Sequence, residues 1–93
     1  MGVQSPALWR SAGETAPGAF DDAQDYARND VFALRPPHPL WIDVGASDPF
    51  RDAALAYARR AGVVAHVWPG GHDVSFWDAH TPALLRFLAH ACA

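Results

Sequence analysis

Leu40-Trp41-Ile42-Asp43-Val44-Gly45-Ala46-Ser47-Asp48-Pro49-Phe50 passes from an extended pattern to a helix start within a few residues. Residues 40–44 are few, rich in β-branched and aromatic side chains, and closed by Gly45, which predicts a strand. Asp48 is a good N-cap, and Pro49 suits the first helical position because the amide it lacks has no helical partner there. From that point Phe50, Ala53, Ala54, Tyr57, Ala58 and Ala61 recur at helical spacing. Arg59 and Arg60 complement the negative end of the helix dipole, and Gly62 supplies a left-handed stop. Residues 63–68, Val-Val-Ala-His-Val-Trp, read as a second strand, ended by Pro69-Gly70-Gly71, which no regular element accommodates. Strand, helix, strand implies two parallel strands joined by a right-handed crossover, and so an α/β fold.

Outward from this unit the signals are shorter. On the N-terminal side Ser11 to Gly18 reads as a loop. Asp21 and Asp22 can cap a helix that runs to about Arg28, with Phe20, Ala23 and Ala27 on its apolar face. Arg35-Pro36-Pro37-His38-Pro39 is a stiff extended approach to the first strand, since each proline disfavours helical geometry in the residue before it. On the C-terminal side Thr81 and Pro82 read as the cap and first residue of a last helix, with Leu84, Phe87, Leu88 and Ala91 at helical spacing. Two parallel strands are fewer than such sheets normally contain. The expectation is therefore the last two strands of a larger sheet, with flanking helices and an open edge through which the chain could pair with itself or with another protein.

Composition narrows the function. The chain has 93 residues, 51% of them hydrophobic and 18% charged, as in globular proteins, and a formal net charge of -3. All seven basic residues are arginines scattered along the sequence, so no concentrated positive field is available for nucleic acid or an anionic membrane. The one cysteine, Cys92, has no partner for a disulfide and reads as a small apolar residue of the last helix. The N-terminal stretch has neither a basic region nor an apolar run of secretory type, and no segment is long and apolar enough to span a membrane, so a cytoplasmic protein is expected.

Chemistry concentrates behind the two strands. A crossover sets the carboxyl ends of neighbouring strands side by side, so Asp48, after the first, and His72, after the second, come within hydrogen-bond reach. Such a pair is two thirds of a Ser-His-Asp triad, in which the acid fixes the imidazole tautomer and the imidazole takes the nucleophile's proton. Each residue also has a plainer reading, Asp48 as a helix cap and His72 as a loop histidine. Asp73 reads as a cap for a helix through Phe76 and Trp77 rather than as a second acid. Ser47 and Ser5 are poor nucleophiles: Pro49 replaces the last glycine of a G-x-S-x-G elbow around Ser47, and Pro6 deprives Ser5 of the amide an oxyanion hole would use. His38, His66, His72, His80 and His90 show no metal-ligand spacing, and no phosphate-binding glycine motif occurs, so no metal or cofactor is expected.

Pro69-Gly70-Gly71-His72-Asp73-Val74-Ser75-Phe76-Trp77 resembles the His loop of the esterase D and mycolyltransferase branch of the α/β-hydrolases. Gly45-Ala46-Ser47-Asp48-Pro49-Phe50 is similar to that branch's acid loop, and Ser5-Pro6-Ala7-Leu8-Trp9 to the segment after its sixth strand. The resemblance covers nearly the whole chain and implies that residues 1–93 are the C-terminal part of an α/β-hydrolase domain, with Asp48 as triad acid and His72 as triad base. It implies hydrolysis of a small carboxylic ester or thioester through an acyl-serine. The nucleophile elbow and the oxyanion hole of that family are absent from this sequence, so no turnover is expected from the 93 residues alone. Trp9, Phe20 and the loop between them are candidates for a lid. The alternative reading is a non-enzymatic truncated or remnant chain that associates through its sheet edge.

Overall fold

The computed structural model describes residues 1–91. Cys92, read above as part of the last helix, lies outside the described residues. The fold is α/β, built on a three-stranded parallel sheet in the order β1-β2-β3, with β1 at Gly2–Gln4, β2 at Trp41–Gly45 and β3 at His66–Trp68. Three helices accompany it: α1 at Ala23–Asn29, α2 at Arg51–Ala61 and α3 at Val74–Ala91. A short 3-10 turn, Ala12–Glu14, precedes α1.

β1 corrects the expectation of two strands. Gly2-Val3-Gln4 pairs with Trp41-Ile42-Asp43, and β2 pairs on its other side with β3 through Asp43 opposite His66 and Gly45 opposite Trp68. The central strand is therefore β2, and alternation along it divides the protein. Ile42 and Val44 are fully buried and pack with Leu40, Ala54, Tyr57 and Ala58, which joins α2 to one face. Trp41 and Asp43 point to the other face. There Trp41 stacks on His66 at 3.9 Å between ring centroids and packs against Phe87 of α3. Asp43 is completely buried; its Oδ2 accepts hydrogen bonds from Trp41 Nε1 (2.8 Å) and Gln4 Nε2 (3.1 Å). Gln4 Oε1 in turn lies 3.0 Å from the Thr81 hydroxyl, tying β1, β2 and α3 together through polar groups.

α3 begins at Val74, eight residues earlier than Thr81 and Pro82 suggest. Its cap is Asp73, whose Oδ1 accepts from Phe76 N at 2.9 Å. Pro82 lies inside the helix, where it removes one amide donor. The Thr81 hydroxyl sits 2.6 Å from the Trp77 carbonyl one turn back, the usual arrangement of a threonine inside a helix rather than at its cap. Buried Phe76 and the stacking of His80 on Trp68 (4.1 Å, 7° between planes) anchor the turn ahead of the proline. α2 ends as anticipated: Gly62 adopts φ 73°, and Val63 N reaches back to Ala58 O at 3.0 Å. β3 is shorter than the extended run 63–68, retaining only His66–Trp68.

In α1 the cap is Asp22, accepting from Asp25 N at 2.8 Å, but the buried residue is Tyr26. Ala23 and Ala27 face solvent, because an alanine face offers too little apolar area to outweigh burying one tyrosine ring. The Tyr26 hydroxyl donates to Trp9 O at 2.9 Å and so fastens the segment after β1 to α1. Burial and then the charges of Asp30 and Glu14 raise its pKa above the ordinary 10.0, with Arg10 opposing. Both states hold the phenolic proton below about pH 10, and the unfolded chain releases it first above that. The urea midpoint is thus expected to stay level with respect to Tyr26 up to about pH 10 and to fall as pH rises further. Tyr26→Phe should remove that part of the alkaline decline; an unchanged slope would show that the phenol is not held in its buried site beside Asp30 and Glu14.

Candidate active site

The turn after β2 and the turn after β3 are stitched together by main-chain hydrogen bonds. Ala46 N donates to Trp68 O at 2.8 Å and Ser47 N to Gly70 O at 2.9 Å, extending the strand pairing past the end of the sheet. The close approach depends on Gly45: a Cβ there would lie 2.7 Å from the carbonyl carbon of Gly70 and 2.9 Å from Gly71 O. Gly70 has φ 133°, a conformation that glycine adopts without steric cost. Together these glycines deliver Asp48 and His72 to the same place.

His72 Nδ1 lies 2.9 Å from Asp48 Oδ2. The Asp48 side chain is wholly buried, whereas that of His72 is 34% exposed, so the dyad has a dry end and a wet one. The other carboxylate oxygen, Oδ1, accepts from Phe50 N at 2.7 Å. Asp48 thus meets the turn into α2 with one oxygen and the imidazole with the other. The regular helix starts at Arg51 rather than Pro49, and Asp48 caps the turn that leads into it. An ionised carboxylate only accepts, so in neutral His72 the proton resides on Nδ1 and the Nε2 lone pair is free. An imidazole so oriented can take a proton from a hydroxyl or thiol placed against Nε2.

The rings on both sides of His72 escaped the sequence reading. Phe50, assigned there to the apolar face of α2, has its ring centroid 5.5 Å from that of His72, and Trp77 meets the imidazole edge-on at 5.2 Å. The available signal was their position, two residues after Asp48 and five after His72. Trp9 and Phe20, the lid candidates, join the same group: Trp9 contacts Phe50 at 5.6 Å and Phe20 at 6.2 Å.

Neither Ser5 nor Ser47 is hydrogen-bonded to the dyad through its hydroxyl among the described residues. Ser47 is exposed in the turn. Ser5 follows β1 with φ 46° and is 3% exposed; its amide donates to Asp43 O at 2.7 Å, and its hydroxyl has no partner among the described residues. A nucleophile shielded in this way is out of reach of a substrate. Of the remaining histidines, His66 and His80 stack on tryptophans and His90 bonds through Nδ1 to Arg86 O. Among the described residues no cluster of three potential metal ligands occurs, and no helix is long and apolar enough to cross a membrane.

Fold and site define an α/β chain with a carboxylate–imidazole dyad at the carboxyl ends of two neighbouring parallel strands. Compared with protein-family models, with curated proteins and with solved structures, the chain matches none.

Proposed function

We propose that this chain supplies the acid and base of an acyl hydrolase of serine-esterase type, with Asp48 orienting His72 and His72 acting as general base and acid. The observation that carries the reading is the 2.9 Å contact between exposed His72 and wholly buried Asp48. In the reaction His72 Nε2 takes the proton of a serine hydroxyl as its oxygen attacks the ester or thioester carbonyl. The imidazolium, stabilised by Asp48, then returns the proton to the departing alcohol or thiol. Water repeats the sequence to release the acid. Among the described residues no serine hydroxyl is hydrogen-bonded to His72, and the reading assigns the serine and the donors for the developing oxyanion to another part of the enzyme. On this reading the chain is the C-terminal part of an α/β-hydrolase domain acting on a small-molecule ester, with no cofactor.

The test is the polypeptide that carries this sequence in its source cells. It is expected to be heavier than 10.1 kDa, to react with a fluorophosphonate probe at a serine outside residues 1–93, and to lose that reaction in His72→Ala. The 93 residues alone should hydrolyse p-nitrophenyl acetate at the buffer rate, with or without His72. A native species of 10.1 kDa that ignores the probe would overturn the proposal and favour a chain that works through its sheet edges.

A further inference from the structure

The segment between β1 and α1 has no regular element of its own except one 3-10 turn, and aromatic contacts hold it to α1. Trp9 meets Phe20 edge-on (6.2 Å between ring centroids, 79°), and Phe20 meets Tyr26 in the same way (5.2 Å, 81°). With Asn29, Asp30 and Val31 these rings line a cavity of about 70 Å³, to which Asp48 and His72 contribute nothing. A water's share of liquid volume is roughly 30 Å³ and benzene is held by a cavity of roughly 150 Å³, so this one has room for about two or three heavy atoms. Its polar groups are of one kind. The Tyr26 hydroxyl donates to Trp9 O, Asn29 Nδ2 donates to Asp25 O and Asp25 Oδ1 (both 2.9 Å), and Asp30 Oδ1 accepts from Phe32 N at 3.0 Å. What Tyr26, Asn29 and Asp30 have left to offer among the described residues is acceptors: the phenolic oxygen, Asn29 Oδ1 and Asp30 Oδ2. The field there is negative as well. After burial, the charges of Asp30 and Glu14 are what raise the Tyr26 pKa, against the smaller effect of Arg10. Arg10 itself lies over the Phe32 ring at 4.9 Å and forms no ion pair among the described residues.

We propose that this cavity binds a short primary alkylammonium ion, its carbon stem against Trp9, Phe20 and Tyr26 and its ammonium group donating to Asp30 Oδ2 and Asn29 Oδ1. The proposal goes beyond the acyl-hydrolase reading and does not depend on it. The chemistry of the lining selects the ligand. Aromatic rings favour a cation through the negative potential of their faces, and they also take up an apolar stem. The unpaired carboxylate oxygen of Asp30 supplies charge, and the amide oxygen of Asn29 supplies a second acceptor. A primary ammonium brings several donors to meet them, whereas an alcohol brings a single donor and no charge. An anion would meet only acceptors. Size narrows the class further, since the methyl groups of tetramethylammonium make it too large for the cavity.

The experiment titrates the 93-residue chain, labelled with nitrogen-15, with ethylammonium chloride at constant ionic strength. Saturable shifts are expected at the Trp9 indole, the Asn29 side-chain amide and the Val31 amide, with a dissociation constant of about 5 mM, in keeping with so few ligand atoms. Ethanol and tetramethylammonium should leave these signals in place. Nα-acetyl-lysine methylamide carries the same group on a longer stem and separates two sources of it: shifts with this probe extend the ligand to lysine side chains, and their absence confines it to free amines. Asp30→Asn keeps an acceptor for Phe32 N and should weaken ethylammonium binding at least about tenfold. Arg10→Gln removes the competing cation and should tighten binding about twofold. Effects of opposite sign from two neighbouring substitutions do not arise from a general loss of folding. Equal binding of ethanol, unchanged affinity in Asp30→Asn, weaker binding in Arg10→Gln, or shifts that fail to saturate would each overturn the proposal.

Discussion

Replacing Gly45 by alanine is expected to lower the stability of the chain by about 3 kcal/mol or more and to separate Asp48 from His72. The added Cβ would press on the Gly70 carbonyl and on Gly71 O, which are main-chain atoms without a rotamer in which to retreat. The strain can be relieved only by moving the turn after β3 away from β2. That motion breaks the Ser47–Gly70 hydrogen bond and carries His72 with it. A domain of this size has a total stability of roughly 5–14 kcal/mol, so the loss is a large fraction of the whole. Urea unfolding followed by circular dichroism gives the stability change, and the nitrogen-15 signature of His72 gives the separation. A variant with unchanged midpoint and the Nδ1 proton still in place would mean that the two turns are not in contact in solution.

Asp48→Ala should be the next most damaging change, at about 2–4 kcal/mol, because it removes two hydrogen bonds from a buried site. The Phe50 amide loses its acceptor, and His72 loses the group that selects its tautomer. Asp48→Asn separates the two roles. The amide oxygen can still accept from Phe50 N, so most of the stability should return, to within about 1 kcal/mol of the parent. The negative charge does not return, and the fixed Nδ1–H tautomer of His72 should be lost. Equal destabilisation by the two variants would show that the cap is a minor part of what Asp48 does. Retention of the Nδ1–H tautomer in the asparagine variant would show that another group orients His72.

Much of this fold was legible because several elements carry their own punctuation. Asp22, Gly62 and Asp73 each do what their positions suggest, and the run from Trp41 to Val44 is strand in sequence and in structure. The nearness of Asp48 and His72 could be read as well, since each follows its strand by a few residues and the strands are neighbours. What escaped depends on contacts between distant segments. Gly2-Val3-Gln4 is too short to show a period, and it becomes a strand only because the edge of β2 is there to pair with it. Thr81-Pro82 has the chemistry of a helix start, but the helix was already established from Asp73 and runs through it. Tyr26 displaces the alanine face of α1 because Trp9 O is within reach of its hydroxyl. Phe50 fits helical spacing, yet sits one residue before the regular helix and turns its ring to Trp9 and His72.

The two oxygens of Asp48 belong to one rigid planar group, and that has a thermodynamic consequence. A change at His72 that pulls on Oδ2, such as proton transfer or a bound acyl group, also moves Oδ1 and is felt by the Phe50 amide at the start of α2. Coupling of this kind is reciprocal: whatever tightens or frays the first turn of α2 must bias the orientation of His72 by the same free energy. The helix is thus a reporter of the imidazole, and amide exchange at Phe50 should follow events at a ring it never touches through the main chain.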